Sequence, residues 1–357
     1  MADASRITRC TTRRCMTLPL KPVAMTTDGK VTAMATYDTL ADLDRLDGTI
    51  AVVGSMNADY TVTTERLPGP GETVNGGPLR ILPGGKSGNQ AAAAARLGVE
   101  SRLFGAVGSD ANADLLLGKL NEAGVNTSQV MHAPGPSGTT VITVDAHGEN
   151  TIVYSPGSNA RVDTEYVHAA RTAIEASGTL GLCLESPIDA VTAAARICHD
   201  FAGRVLLNNS PFIPVIPRAL AEACDVLLVN EHEMAAMLDL DEPQDDDWST
   251  YDWARVIAGL HALGFDQAIV TLGADGSVVL DARSDTPVIV IDPVHVDVVD
   301  TTGCGDAYMG TVLAGLASGF ALDRSARLAS YVSAYAATGR GAQASYGTAE
   351  QIRAYFA

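Results

Sequence analysis

The chain has 357 residues, of which 46% are hydrophobic, 18% charged and 5% aromatic, with a formal net charge of −18. At ~150 residues per domain this is room for about two domains, or one large α/β unit with an appendage, and the apolar fraction excludes a disordered chain. The acidic balance repels phosphodiester backbones, so no nucleic-acid partner is expected, and no run approaches the ~18 apolar residues of a membrane span, so no membrane partner is expected.

Residues 1–48 read differently from the rest. The first thirty carry Arg6, Arg9, Arg13, Arg14, Lys21 and Lys30 against Asp3 and Asp28, with no apolar core of signal-peptide type. They read as a disordered tail, with order beginning at Thr49. The run Thr49-Ile-Ala-Val-Val-Gly54 is short, β-branched and unalternating, as a strand buried on both faces is. Runs of the same kind stand at residues 101–107, 180–184, 204–207, 225–229 and 267–272. Helical stretches are expected between them at 87–97, 189–200 and 253–263, two of them closed by Gly98 and Gly264. This alternation predicts an α/β fold with a mainly parallel central sheet and helices on both faces. Residues 60–82 and 138–154 break the rhythm with hairpin-like patterns and predict a small β-sheet lid on the body, which spans 49–357.

The six cysteines form no CxxC pair, and most sit in apolar stretches, as reduced thiols of a cytoplasmic protein do. The seven histidines have no metal-ligand spacing, so a zinc enzyme is not expected.

Four segments carry chemistry. In Asp297-Val-Val-Asp-Thr-Thr-Gly-Cys-Gly-Asp306 a strand-like run ends in Gly303-Cys304-Gly305 and an apolar helix follows directly. Glycines there let backbone N–H groups turn to an anion at a helix N-terminus; the alternative is a tight turn with Asp306 as N-cap. In Pro83-Gly-Gly-Lys-Ser-Gly-Asn89 a diglycine loop again precedes a helix, and Asn89 offers donor and acceptor to a polyhydroxyl ligand. A P-loop would need glycine where Arg80 stands. Asn57 and Asp59 follow the first strand and point the same way if the chain is extended, although capping explains them nearly as well. Val229-Asn230-Glu-His-Glu233 suits either a water-mediated Mg²⁺ site or a capping box.

Together these segments resemble the ribokinase-like (PfkB-type) carbohydrate kinases over roughly residues 49–357. The motifs continue, in the family's order, with Pro-Gly-Glu-Thr-Val at 70–74, Gly-Glu-Asn at 148–150, Pro-Gly-Ser-Asn-Ala at 156–160 and Leu-Glu-Ser-Pro at 184–187. Asn-Glu-His-Glu, Thr-Leu-Gly-Ala-Asp-Gly (271–276), the Asp306 segment and Gly-Ala-Gln-Ala-Ser at 341–345 complete it. The resemblance implies ATP-dependent phosphorylation of the primary hydroxyl of a small sugar, D-ribose first, with deoxyribose, fructose or a nucleoside as alternatives. A silent sugar-binding regulator is the rival class, opposed by the presence of Asp306. The resemblance makes Asp306 the base and the Gly303, Cys304 and Gly305 amides the anion hole. It assigns the sugar to Asn57, Asp59, Gly84, Gly85, Lys86, Asn89 and Glu185. Asn230, Thr271, Gly273, Gly276 and Gly305 fall to the nucleotide, with Asn230 and Glu233 supporting Mg²⁺. Asp300, Thr302, Ala336, Gly339, Gly341 and Ser345 match an activating K⁺ site, and the lid implies a homodimer. Ser87, Gly88, Cys304 and Asn209 depart from the family's usual residues.

Overall fold

The computed structural model describes residues 39–245 and 247–357. An eight-stranded sheet runs in the order Val288–Ile291, Ser277–Asp281, Gln267–Thr271, Val226–Asn230, Arg204–Asn208, Thr179–Leu182, Thr49–Val53, Glu100–Phe104. The six strands from Gln267–Thr271 to Glu100–Phe104 are parallel; the other two extend the sheet antiparallel.

The absence of alternation in these strands follows from their environment. Ala51 and Val53 enter one apolar cluster and Ile50 and Val52 the other, each 0% exposed, so both faces of the strand are core. Residues 101–107 form two strands rather than one, Glu100–Phe104 and Ala106–Val107. The break is at Gly105, where a Cβ would press on the Gly54 carbonyl and Met56 Cε. The antiparallel pair Ser277–Asp281 and Val288–Ile291 was not expected from the sequence: each is too short to show a period.

A second sheet orders Arg80–Gly84, Asn57–Thr63, Gly138–Val144, Asn150–Ser155. Its central pair is parallel and both outer pairs are antiparallel hairpins. Asn57–Thr63 follows the first core strand after three residues, so the small sheet delivers Asn57 and Asp59 to the carboxyl end of the large one.

Two helices build the site. Cys304–Ala317 is buried nearly all round, as a helix inside an α/β body is. It packs on Lys86–Arg96, whose contact face is mostly alanine. A Cβ at Gly310 would stand 2.5 Å from the Gln90 carbonyl, so glycine sets how closely the helices approach.

The expected tail does not extend to residue 48. Thr39–Arg45 is a 3₁₀ helix, and Leu43 packs with Leu97, Phe320, Leu328, Val332 and Ile352. Asp42, 2% exposed, accepts from Arg324 Nε at 2.7 Å and Nη2 at 2.5 Å. Residues 1–38 of the expected tail lie outside the described residues. Arg324→Ala leaves the Asp42 carboxylate buried without this partner and is expected to destabilise folding by about 3 kcal/mol, read as a lower midpoint in denaturant at unchanged slope.

Candidate active site

The helix Cys304–Ala317 starts from Gly303 as N-cap, in the left-handed region at φ 79°. Asp306 is therefore the third helical residue and not the cap, which removes the N-cap alternative. Its Oδ2 accepts from Asn89 Nδ2 at 2.9 Å and its Oδ1 from Gln90 Nε2 at 3.1 Å. Asn89 Oδ1 in turn accepts from Gln343 Nε2 at 3.0 Å. Burial pushes the Asp306 carboxyl above the ordinary range and Glu185 adds to this, against the opposing pull of Lys86, Asn89 and Gln90. A carboxylate raised in this way is a better proton acceptor than an exposed one.

The three amides expected to form an anion hole are not equivalent. The Cys304 N–H turns back onto the Thr301 carbonyl at 3.1 Å, so that amide is already engaged. Gly303 and Gly305 line a cleft of about 210 Å³ together with Lys86, Asn208, Ser210, Asn230, Glu233, Thr271 and Asp306. Beyond the helix's own first turns nothing lies within 4 Å of a Cβ built at Gly305, which lines the cleft. The Cys304 thiol is pushed up to about 11 by burial, with Asp300 and Asp306 adding to it.

The diglycine loop adjoins this cleft, and of the residues expected at the sugar only Lys86 and Asp306 line it, while Asn57, Asp59, Gly84, Gly85, Asn89 and Glu185 lie off its wall. Asp59 accepts from Thr140 Oγ1, and burial, aided by Glu185 and Asp306, pushes its carboxyl up to about 6. Gly84 has no side chain because a Cβ there would overlap Asp59 Oδ2. Gly85, at φ 88°, lies against Asn57 N and Met56 Cα, where a Cβ would come within 2.7 Å of either. Glu185 Oε2 accepts from the Lys86 N–H at 2.9 Å and from Ser55 Oγ. The Lys86 ammonium is opposed by burial, but Asp306, Glu185, Cys183 and Glu233 together raise its pKa above the ordinary lysine value. Lys86 thus supplies the local positive charge that an acidic protein needs to hold an anion.

Asn230 and Glu233 form a capping box: Asn230 Oδ1 accepts from the Glu233 N–H at 2.7 Å and Glu233 Oε2 from the Asn230 N–H at 3.0 Å. Both also line the cleft, so capping and ligand contact are compatible. Thr271 ends the strand beside Asn230 and donates to the Val229 carbonyl at 3.5 Å. Gly273 and Gly276 shape the following turn rather than the cleft wall. Gly276, at φ 93°, has no room for a Cβ beside the Ile291 carbonyl.

Asp300 accepts from the Thr302 N–H at 2.9 Å and the Gly341 N–H at 2.8 Å. These bonds and the Arg340 charge outweigh burial and hold its carboxyl below the usual range. A Cβ on Gly339 would lie 2.7 Å from Ser345 Cβ, and the Gly339 N–H donates to the Ala336 carbonyl at 3.2 Å. The six residues expected around a monovalent ion thus fall in two touching segments.

Other residues of the site were not assigned from the sequence. Gln90 and Gln343 complete the Asp306 network. Asn159, fully buried, donates to Asn57 Oδ1 at 2.7 Å and accepts from the Met56 N–H at 3.1 Å. Tyr154 donates to the Glu185 carbonyl at 3.1 Å. Asn208 and Ser210 line the cleft, and Asn208 Oδ1 is buried without a partner. Each lies in a segment singled out above or beside one, but nothing in those segments marked which residue would act. Ser87 and Asn209 do not reach the cleft: Ser87 Oγ sits 3.0 Å from Cys183 Sγ, and Asn209 braces Ile213 through its N–H and carbonyl.

A raised carboxylate on the first turn of a helix, with two glycines and a lysine lining the same cleft at the carboxyl ends of parallel strands, is an arrangement suited to phosphoryl transfer on a small molecule. The profile of the pfkB family carbohydrate kinases matches residues 47–349, and the chain belongs to that family: it is a carbohydrate kinase. It is 35% identical over 305 residues to a ribokinase of Schizosaccharomyces pombe, covering 83% of this chain and 94% of that one. A deoxyribokinase of Salmonella typhi is 30% identical over 308 residues, covering 86% and 98%. Among solved structures, Arabidopsis thaliana ribokinase complexed with ribose and ATP superposes with a TM-score of 0.75 at 26% identity, over 87% of this chain and 98% of that one.

Proposed function

We propose that this carbohydrate kinase transfers the γ-phosphoryl group of ATP to the O5 hydroxyl of D-ribose, giving D-ribose 5-phosphate. The observation that carries the reading is Asp306, held by Asn89 and Gln90 on the first turn of a helix whose Gly303 and Gly305 line the same cleft. Sugar O5 attacks the γ-phosphorus as its proton passes to Asp306, and the bond to the bridging oxygen breaks, releasing ADP. Asn57, Asp59, Gly84, Gly85, Lys86, Asn89 and Glu185 hold the sugar. The Gly303 and Gly305 amides face the charge on the transferring group. Asn230 and Thr271 line the path of the nucleotide, and Gly273 and Gly276 act on it only through the turn that follows Thr271.

Mg²⁺ fits beside Asn230 and Glu233, where it would neutralise phosphate charge. Among the described residues no cluster of three or more His, Cys, Asp or Glu could hold a metal, so the nucleotide itself would supply most ligands. The single ionised carboxylate of Asp300 among neutral oxygens of Thr302, Ala336, Gly339, Gly341 and Ser345 suits a monovalent cation such as K⁺. Ile81, Val141 and Val153, exposed and apolar on one face of the small sheet, are where a second copy docks in a homodimer. Among the described residues no helix is long and apolar enough to cross a membrane, and Cys183, Cys198, Cys224 and Cys304 are free thiols.

The test is ADP release from Mg·ATP, in K⁺ and in Na⁺ buffers, across ribose, deoxyribose, fructose, fructose 6-phosphate and nucleosides. Preference for ribose, with faster turnover in K⁺, is expected. The deoxyribokinase relatives favour one second reading, and preference for deoxyribose would establish it.

Asp59 makes sugar binding pH-dependent. Its carboxyl, at about 6, must be ionised to accept sugar hydroxyls. The sugar KM is therefore expected to rise as pH falls through about 6, approaching about tenfold per pH unit below it, while D59N shows a high KM with no such slope. Because the folded pKa is raised, the same group favours folding in acid, and that contribution is lost as pH rises through about 6.

A further inference from the structure

We propose that Tyr346 is a positioning residue for phosphoryl transfer, its phenol locking the turn at Gly303 that aims the Gly303 and Gly305 amides. The inference rests on reading those amides as the anion hole.

Tyr346 is 4% exposed and is absent from the cleft wall, so it acts through the backbone and not on substrate. Its Oη donates to the Gly303 carbonyl at 2.9 Å. The same carbonyl accepts the Ala307 N–H at 2.9 Å, the first bond of the helix. Two donors on one oxygen fix the plane of the Gly303–Cys304 peptide and with it the positions of the Gly303 and Cys304 Cα atoms, from which the Gly303 and Gly305 amide units extend. The turn needs such a constraint, because glycine at φ 79° moves between conformations more freely than any other residue.

The fit is mutual. A Cβ on Gly303 would lie 2.6 Å from Tyr346 Oη and 2.5 Å from Ala342 Cβ, so the missing side chain is the space the phenol occupies. The next carbonyl, of Cys304, is held from the same side by Ser333 Oγ at 3.1 Å. Burial, with Asp306 and Cys304 adding to it, keeps the phenol protonated well beyond the working range of the enzyme, so it serves as a donor throughout.

Tyr346→Phe tests this, since phenylalanine keeps the ring and its packing and removes only the hydroxyl. The amides are needed when charge develops on the transferring group. The variant is therefore expected to lose kcat by about tenfold, less than the ~10²–10³-fold for deleting an anion-hole donor outright, with KM for ribose and ATP within about twofold. A hydroxyl that served only stability would lower the melting temperature without splitting kcat from KM. The second readout is inhibition by ADP with aluminium fluoride in the presence of ribose, which mimics the transferring phosphoryl group. Tight inhibition of the wild type, weakened about tenfold in Y346F with ADP alone unaffected, supports the proposal. Equal inhibition of both, with unchanged kcat, overturns the role of Tyr346 and leaves the anion hole standing. Wild type that binds the mimic no better than ADP overturns the anion hole and this inference with it.

Discussion

Asp306→Asn is expected to lower kcat by about 10³-fold or more, with ribose still binding, as measured by steady-state turnover alongside calorimetric titration of the sugar. The carboxylate sits where both oxygens meet side-chain donors, Asn89 Nδ2 and Gln90 Nε2. An ionised carboxylate only accepts, so this arrangement suits the charged form, while burial raises its proton affinity. An amide in its place takes no proton and presents an NH₂ group to one of the two donors. On the proposed reading the sugar keeps its other contacts along Asn57, Asp59 and Glu185, so binding and turnover are expected to separate. Turnover within tenfold of the wild type would remove Asp306 as the base.

Gly84→Ala is expected to raise the ribose KM about 100-fold, with a smaller effect on kcat. An alanine Cβ would overlap Asp59 Oδ2 and stand 2.5 Å from its Cγ. The backbone has little freedom to retreat, since Gly84 pairs with Asn57 in the ladder of the small sheet. The carboxylate must rotate instead, away from Thr140 and away from the sugar. Losing the hydrogen bonds of one charged group costs about 1.5–3 kcal/mol, which is the source of the expected factor. A KM within threefold of the wild type would show that Asp59 does not hold the sugar.

The two variants separate the halves of the site. Asp306 belongs to the helix Cys304–Ala317 and in the proposed reaction bears on the chemical step, whereas Gly84 and Asp59 belong to the small sheet and in that reaction bear on occupancy. Their pH dependences divide in the same way. The Asp59 ionisation appears in KM and that of Asp306 in kcat, each with an acid limb because each carboxyl is raised by burial.

Much of this protein is legible in the chain itself. Strands such as Thr49–Val53 betray a sheet covered on both faces, because burial on each side removes the polar half of the alternation. Gly303 and Gly305 before an apolar run mark a helix start open to an anion, because those backbone conformations depend on which side chains are missing locally. The motifs from Asn57 to Ser345, in order, carry the family. Other features depend on residues far apart in sequence. Gln343 reaches Asn89 across 254 positions and Asn89 reaches Asp306 across 217, and neither pairing leaves any local period. Whether Ser87 faces the sugar or Cys183, and which hydroxyl steadies Gly303, follow from which distant segments pack together. Local sequence specifies backbone conformation and burial; the partner of each buried polar group is set by packing, since a donor must be satisfied by whatever the fold brings within reach.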